Sequence, residues 1–153
     1  MEANTCAKMT SSEIIALLPY QDPFLFVDII TAVDDHSISG SFHFRKNLDF
    51  YQGHFKEKAI TPGVILTETM AQIGLVSLGI YLMKQAGEEL SNLQIALSST
   101  EVDFYKPVYP DEQVLVKSRK EYFRFSKLKC AVEMYNSKDE LVCRGKIAGI
   151  VVS

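Results

Sequence analysis

The sequence predicts an α+β protein in which a mostly antiparallel sheet curls around one long central helix. Three observations carry this. The apolar patterning runs strand, strand, long helix, four strands, and runs of strands without βαβ alternation make a largely antiparallel sheet. The helical stretch VILTETMAQIGLVSLGIYLM is apolar on every face, as a helix enclosed by its fold must be. A chain of 153 residues with 47% hydrophobic and 23% charged side chains suffices for one domain with a sizeable core and is short for two. A single domain over residues 1–153 is therefore expected, with residues 1–9 a loose leader.

The elements follow in order. SSEIIALLP, 11–19, is a short helix that Ser11 or Ser12 can cap and Pro19 stops. FLFVDIITAV, 24–33, is rich in aromatic and β-branched residues and predicts a strand. HSISGSFHF, 36–44, alternates: Ile38, Gly40, Phe42 and Phe44 take one side, and Ser37, Ser39, Ser41 and His43 the other. Residues 45–61 are irregular. The long helix runs from about Pro62 to about Gln85, with Thr61 as N-cap, Pro62 in the first helical position and Gly87 as the stop. Four strands follow near 93–105, 112–124, 127–136 and 140–152. Leu128, Cys130, Val132 and Met134 share a face of one; Leu141, Cys143, Ile147 and Val151 share a face of the next; NSKDE, 136–140, turns between them.

Composition excludes several classes. A net charge of −3 and an isoelectric point near 5.6 give no footprint for nucleic acid. Cys6, Cys130 and Cys143 are an odd set without paired spacing, which fits neither a disulfide framework nor a zinc site and points to a reducing compartment. The start has no basic segment leading into a long apolar core, so no signal peptide is expected. The most apolar run, residues 73–83, is too short to span a bilayer. A soluble cytoplasmic protein is expected.

Chemistry concentrates in FYQGHFKEKAITPGVILTETMAQIG, residues 50–74. His54 can take up a proton near neutral pH. The first N–H groups of the helix lack intrahelical partners and carry partial positive charge, and Gly63 leaves its N–H open. Thr61 competes for that site if its hydroxyl bonds the N–H of Gly63 or Val64. Glu68 and Gln72, four apart, stack on one helix face. A carboxyl in an apolar wall holds its proton to higher pH than usual. A base, an acid and an oxyanion donor are what β-elimination beside a thioester requires. Taken singly, each feature is common in proteins without such a site.

Together these segments resemble the β-hydroxyacyl-acyl carrier protein dehydratases of the FabZ type, which have the hot-dog fold. LLPYQDPFLFVD at 17–28, FYQGHF at 50–55, PGVILTETMAQ at 62–72 and VDFYKPVYPDEQV at 102–114 carry the resemblance, which covers roughly residues 14–151. His54 and Glu68 stand 14 apart, as the family's pair does. The resemblance implies His54 as base, Glu68 as acid, the Gly63 N–H as thioester oxyanion donor, and Gln72 orienting Glu68. It implies no cofactor, a substrate borne by acyl carrier protein, and a homodimer whose paired His and Glu come from different subunits. Higher homo-oligomers are left open. The partner and an acyl tunnel along the interface would then account for a helix apolar all round.

The chain departs from the family pattern at Lys56 and Ala59, where prolines are usual, at Tyr20, where a histidine is usual, and at the Tyr-Pro-Asp-Glu loop. Those loops bear on substrate choice, so polyene or polyketide-like acyl chains stand beside ordinary fatty-acid intermediates. An acyl thioesterase and a non-catalytic acyl-binding partner subunit are the alternatives. An accompanying isomerase activity is disfavoured because relatives that have it carry Asp at the acid position. Phe104, Tyr105 and Tyr109 are read as packing residues rather than a tunnel gate, and His36 and His43 as non-catalytic. Arg45, Lys46, Lys56, Lys58, Lys84 and Lys106 are candidates for a basic rim facing an acidic carrier.

Overall fold

A computed structural model describes residues 9–152. Cys6 and all but the end of the expected leader lie outside the described residues.

The first helix, α1 (Ser11–Leu17), begins one residue earlier than its expected caps allow. Thr10 is the N-cap: its hydroxyl accepts the Glu13 N–H at 3.1 Å and the Glu13 carboxylate accepts the Thr10 N–H at 2.8 Å. Ser11 is turned elsewhere and accepts the Ile30 N–H. Ile14 and Leu18 are buried in the core, and α1 packs on β1 (Ile29–Val33) and on the second half of the central helix.

The expected strand at 24–33 is only half a strand. Residues 24–28 are irregular, because the segment's backbone groups pair with a helix side chain instead of a ladder: Phe26 N–H donates to Gln72 Oε1 at 2.8 Å, and Phe24 C=O accepts from Gln72 Nε2 at 3.0 Å. Strand β2 (Ser37–His43) buries Ile38 and Phe42, with Phe44 following on the same side. His43 faces outward toward Asp111 at 3.3 Å.

The central helix runs from Gly63 to Gln85 in three parts: α2 (Gly63–Ala71), a π-helical stretch Gln72–Val76, and α3 (Ser77–Gln85). Wide turns free backbone carbonyls, which need partners when buried. Here Ser77 Oγ donates to Gln72 C=O at 2.7 Å and Ser118 Oγ to Gly74 C=O at 2.8 Å. Gly74 lets the sheet come this close, since a Cβ there would stand 3.0 Å from both Ser118 and Val132. Gly87 takes φ 77° and its N–H meets Lys84 C=O while the Glu88 N–H meets Met83 C=O, closing the helix as its sequence position predicts.

Thr61 does not cap the helix. Its hydroxyl is spent on the Tyr51 hydroxyl and its N–H on Val108 C=O, so Pro62 is the N-cap and Gly63 the first helical residue.

Strands β3 (Gln94–Phe104), β4 (Gln113–Arg124), β5 (Lys127–Tyr135) and β6 (Leu141–Val152) fall within a residue or two of expectation. The six strands form one antiparallel sheet in the order β1-β2-β4-β5-β6-β3. Leu128, Cys130, Val132 and Met134 all point into the core; on β6, Val142, Cys143, Ile147 and Ala148 do, while Leu141 and Val151 are half-buried because the alternation slips along the strand. Cys130 and Cys143 are free and buried, and burial pushes their thiols up to about 11 and about 12, so they pack as small apolar residues.

The sheet wraps the helix closely. Every residue from Thr69 to Met83 is buried within the chain itself. A second subunit is therefore not what makes the helix apolar all round, as the sequence led us to expect; α1, the 24–28 segment and the sheet already enclose it. The 23 residues Gly63–Gln85, of mean hydropathy 1.5, are long and apolar enough to cross a membrane, yet 72% of the most apolar window is buried inside the protein. What remains open is the first turn and a half, where Val64 is 76% exposed.

Candidate active site

The open helix start is framed by three segments. The loop ending in His54 crosses it from one side, and the end of β3 with the following loop from the other. Thr61 and Pro62 join the loop to the helix. Between them lies a cavity of about 440 Å³ lined by His54, Phe55, Ile60, Gly63, Phe104 and Tyr105, among others.

His54 is held by its own loop. Its Nδ1 lies 3.0 Å from the Ile60 carbonyl, and the Ile60 N–H donates back to the His54 carbonyl at 3.0 Å. A carbonyl only accepts, so Nδ1 carries the hydrogen and the neutral ring has its lone pair on Nε2. The Phe55 ring stacks on the imidazole at 4.1 Å. Gly63 opens α2 with no side chain capping it, and its N–H donates to no group among the described residues. A Cβ at this position would stand 3.3 Å from the Phe104 ring. His54 and the Gly63 N–H thus share one cavity.

Glu68 and Gln72 stand elsewhere. They meet on one face of α2, with Gln72 Nε2 donating to Glu68 Oε2 at 2.9 Å. Gln72 is fully buried, and the Phe26 N–H fixes which end of its amide is oxygen. Both amide hydrogens are then committed, to Phe24 C=O and Glu68 Oε2. Since Oε2 is an acceptor, a proton on Glu68 sits on Oε1. Burial raises the Glu68 carboxyl above the usual range, and the Gln72 hydrogen bond offsets part of that. Among the described residues, no hydrogen bond or ion pair joins His54 to Glu68 within one chain.

Three parts of this arrangement escape sequence reasoning. The Ile60 carbonyl is a backbone group with no residue signature. Phe104 and Tyr105, expected as packing, are half-exposed and line the His54 cavity; Tyr109 instead lies under the Lys58 ammonium at 4.9 Å. Tyr20 is near enough to Glu68 for that charge to add to burial in pushing its hydroxyl up to about 12. Of the basic rim, Lys106 lines the cavity and pairs with Glu140, and Arg45 pairs with Asp28. Lys84 is in the last turn of α3, at the far end of the helix. Among the described residues, no three His, Cys, Asp or Glu side chains are grouped to hold a metal ion.

A six-stranded antiparallel sheet closed around one helix, with titratable groups at that helix's open start, defines a hot-dog protein. The comparisons narrow this. The family model described as FabA-like domain matches residues 18–147. A 3-hydroxyacyl-acyl-carrier-protein dehydratase FabZ of Acinetobacter baumannii is 39% identical, over 66% of this chain and 68% of that protein. One of Sinorhizobium fredii is 35% identical over 92% of this chain and 88% of its own length. The chain belongs to the FabA-like family and is of the FabZ type. Among solved structures, the dehydratase heterocomplex ApeI:P of Xenorhabdus doucetiae matches with a TM-score of 0.78 at 13% identity, covering 92% of this chain and 91% of that one. A thioesterase of Haemophilus influenzae matches at 0.68 and 10% identity, covering 96% and 93%. These two share the fold.

Proposed function

We propose that this chain is a 3-hydroxyacyl-acyl-carrier-protein dehydratase, working in the cytoplasm as a homodimer, in which His54 of one subunit acts with Glu68 of the other. It converts (3R)-hydroxyacyl thioesters to trans-2-enoyl thioesters. The observation that carries this reading is the division of the site. A histidine with a free Nε2 and an uncapped helix N–H share one cavity, while the carboxyl that would complete them is turned to Gln72. A second copy supplying the carboxyl resolves that division.

In this mechanism His54 Nε2 takes the proton from the carbon next to the thioester. The electron pair of that C–H bond shifts toward the thioester oxygen, where the Gly63 N–H and the positive helix end meet the charge. The C2–C3 double bond then forms as the C3–O bond breaks. Glu68 Oε1 gives its proton to the departing hydroxyl, which leaves as water. His54 ends protonated and Glu68 ionised, and exchange with solvent resets both. Only protons and water move, so no cofactor takes part. Each acid or base group supplies roughly 10²–10⁴-fold.

The test runs the reaction backward: an enoyl thioester is supplied and hydration is followed by loss of its conjugated ultraviolet absorbance. His54→Ala and Glu68→Gln each lose about 10²–10⁴-fold. Mixed and allowed to exchange subunits, the two inactive proteins regain about a quarter of wild-type activity, since half the dimers are mixed and each mixed dimer has one intact site. Exchange without recovery would put both residues in one subunit; activity surviving both substitutions would discard the assignment. Release of free thiol with the enoyl signal intact would mark a thioesterase, whose fold this chain shares.

The acyl group arrives on an acidic carrier. Lys56, Lys58 and Lys106, on the loops around the His54 cavity, are the docking candidates. Reversing Lys56 and Lys58 to Glu slows turnover of the carrier-bound substrate far more than that of a small thioester; equal slowing would exclude docking there. The departures at Tyr20, Lys56, Ala59 and the Tyr-Pro-Asp-Glu loop favour polyene or polyketide-like intermediates over ordinary saturated ones, a preference checked by ranking their kcat/KM against saturated hydroxyacyl substrates.

A further inference from the structure

The central helix does not start where its own sequence specifies. Thr61-Pro62-Gly63 is a strong local start signal, a threonine able to cap followed by a proline suited to the first helical position. From that start Pro62 would be helical, and the Thr61 hydroxyl would accept the N–H of Gly63 or Val64. Instead Pro62 is extended, with φ −60° and ψ 139°, and the helix begins one residue later. The Gly63 and Val64 N–H groups donate to nothing among the described residues. Capping the first N–H groups stabilises a helix, so the local preference is being overruled.

Tyr51 is placed to overrule it. It belongs to a 3-10 turn, Asp49–Gln52, with its N–H on the Leu48 carbonyl at 3.1 Å and its ring against Phe50 at 4.6 Å. Tyr51 is 7% exposed and Thr61 4%, so their hydroxyls have little access to water, and they hydrogen-bond to each other. The Thr61 N–H is meanwhile spent on the Val108 carbonyl at 2.8 Å. Hydroxyl and N–H of Thr61 are thus both held by groups outside the helix, at the wall of the His54 cavity.

We propose that Tyr51 is a positioning residue: by holding the Thr61 hydroxyl it blocks the local cap and keeps the Gly63 N–H open for the thioester oxygen. It acts through Thr61 and touches no reacting atom. This rests on the reading of Gly63 as oxyanion donor in the proposed dehydration.

The test compares wild type, Tyr51→Phe, Thr61→Val and the double variant. Hydration of an enoyl thioester gives kcat and KM, and labelling of the glycines gives the exchange of the Gly63 amide with solvent. In Tyr51→Phe the Thr61 hydroxyl is free to cap. Its kcat falls about tenfold or more, toward the ~10²–10³-fold of a lost oxyanion donor. KM stays near the wild-type value, and the Gly63 amide becomes protected. Thr61→Val removes the competing hydroxyl and keeps wild-type kcat and exchange. It melts below Tyr51→Phe, because it leaves the Tyr51 hydroxyl buried without a partner, whereas a freed Thr61 finds the helix start. The double variant regains kcat and open exchange. If the Tyr51–Thr61 bond only stiffened the loop, the double variant would be as slow as Tyr51→Phe, and that result would overturn the proposal. So would wild-type kcat or an unprotected Gly63 amide in Tyr51→Phe, or failure of Tyr51→Phe to fold. A wild type that hydrates nothing would fail the proposed reaction instead, and the exchange of the Gly63 amide across the four proteins would then decide on Tyr51 alone.

Discussion

Glu68 sits where burial opposes its charge, and its proposed work depends on that. Because its folded pKa is raised, the native chain binds a proton there that the unfolded chain has already released. The sign follows: stability falls as pH climbs from the ordinary carboxylate range through the raised value, and the penalty persists above it. Glu68→Gln removes the charge and keeps an oxygen for Gln72. It therefore melts higher than wild type at neutral pH while being inactive, and the gain disappears below the ordinary carboxylate range. Melting temperatures across a pH series check this. Gly63 makes a second prediction. An added methyl lands 3.3 Å from Phe104 and beside the N–H assigned to the oxyanion. Gly63→Ala lowers kcat/KM about tenfold, about 1.4 kcal/mol of transition-state stabilisation, and Phe104→Ala in the same chain recovers part of it.

At the scale of elements, one amide ties the 24–28 segment to the helix. Gln72→Leu leaves the Phe26 N–H and the Phe24 carbonyl without partners in a dry site, costing about 1–3 kcal/mol. It also removes the donor that holds the Glu68 pKa down, so the falling alkaline limb of the pH–rate profile moves to higher pH. A side chain that only filled space would change the stability and leave that limb in place. The same amide explains what the sequence hides. Strands β2, β4 and β5 are legible because each buries one face, and period-two alternation records that. Phe24–Asp28 has the same propensities but spends its hydrogen bonds on a residue 46 positions away, which no local pattern contains. The π-helical stretch is equally silent, since it rests on the Ser77 and Ser118 hydroxyls and on the closeness of Gly74 to the sheet. Of the site, the titratable residues are legible by type and spacing, whereas the Ile60 carbonyl that sets the His54 tautomer is not.

The whole molecule is closed on one side and open on the other. β1 is a short edge of five residues, whereas β3 is an edge of 11, mostly exposed and with Leu97 half-bare. Long unprotected edges invite a further strand, and β3 ends at Phe104 against the helix start, so its pairing with a second β3 would also bring two sites together. Leu97→Lys with Val64→Lys halves the mass seen by light scattering, keeps the circular dichroism of the fold and abolishes hydration. A monomer with full activity would refute the shared site. The wide turn at Gln72–Val76 bears on how such a molecule can change over time. It acts as a phase adjuster between two halves of one rod. Removing a single residue there would turn α2 by about 100° against α3, carrying Gly63 and Glu68 round together. Insertions and deletions at this joint therefore act on the Gly63 end of the helix as a block.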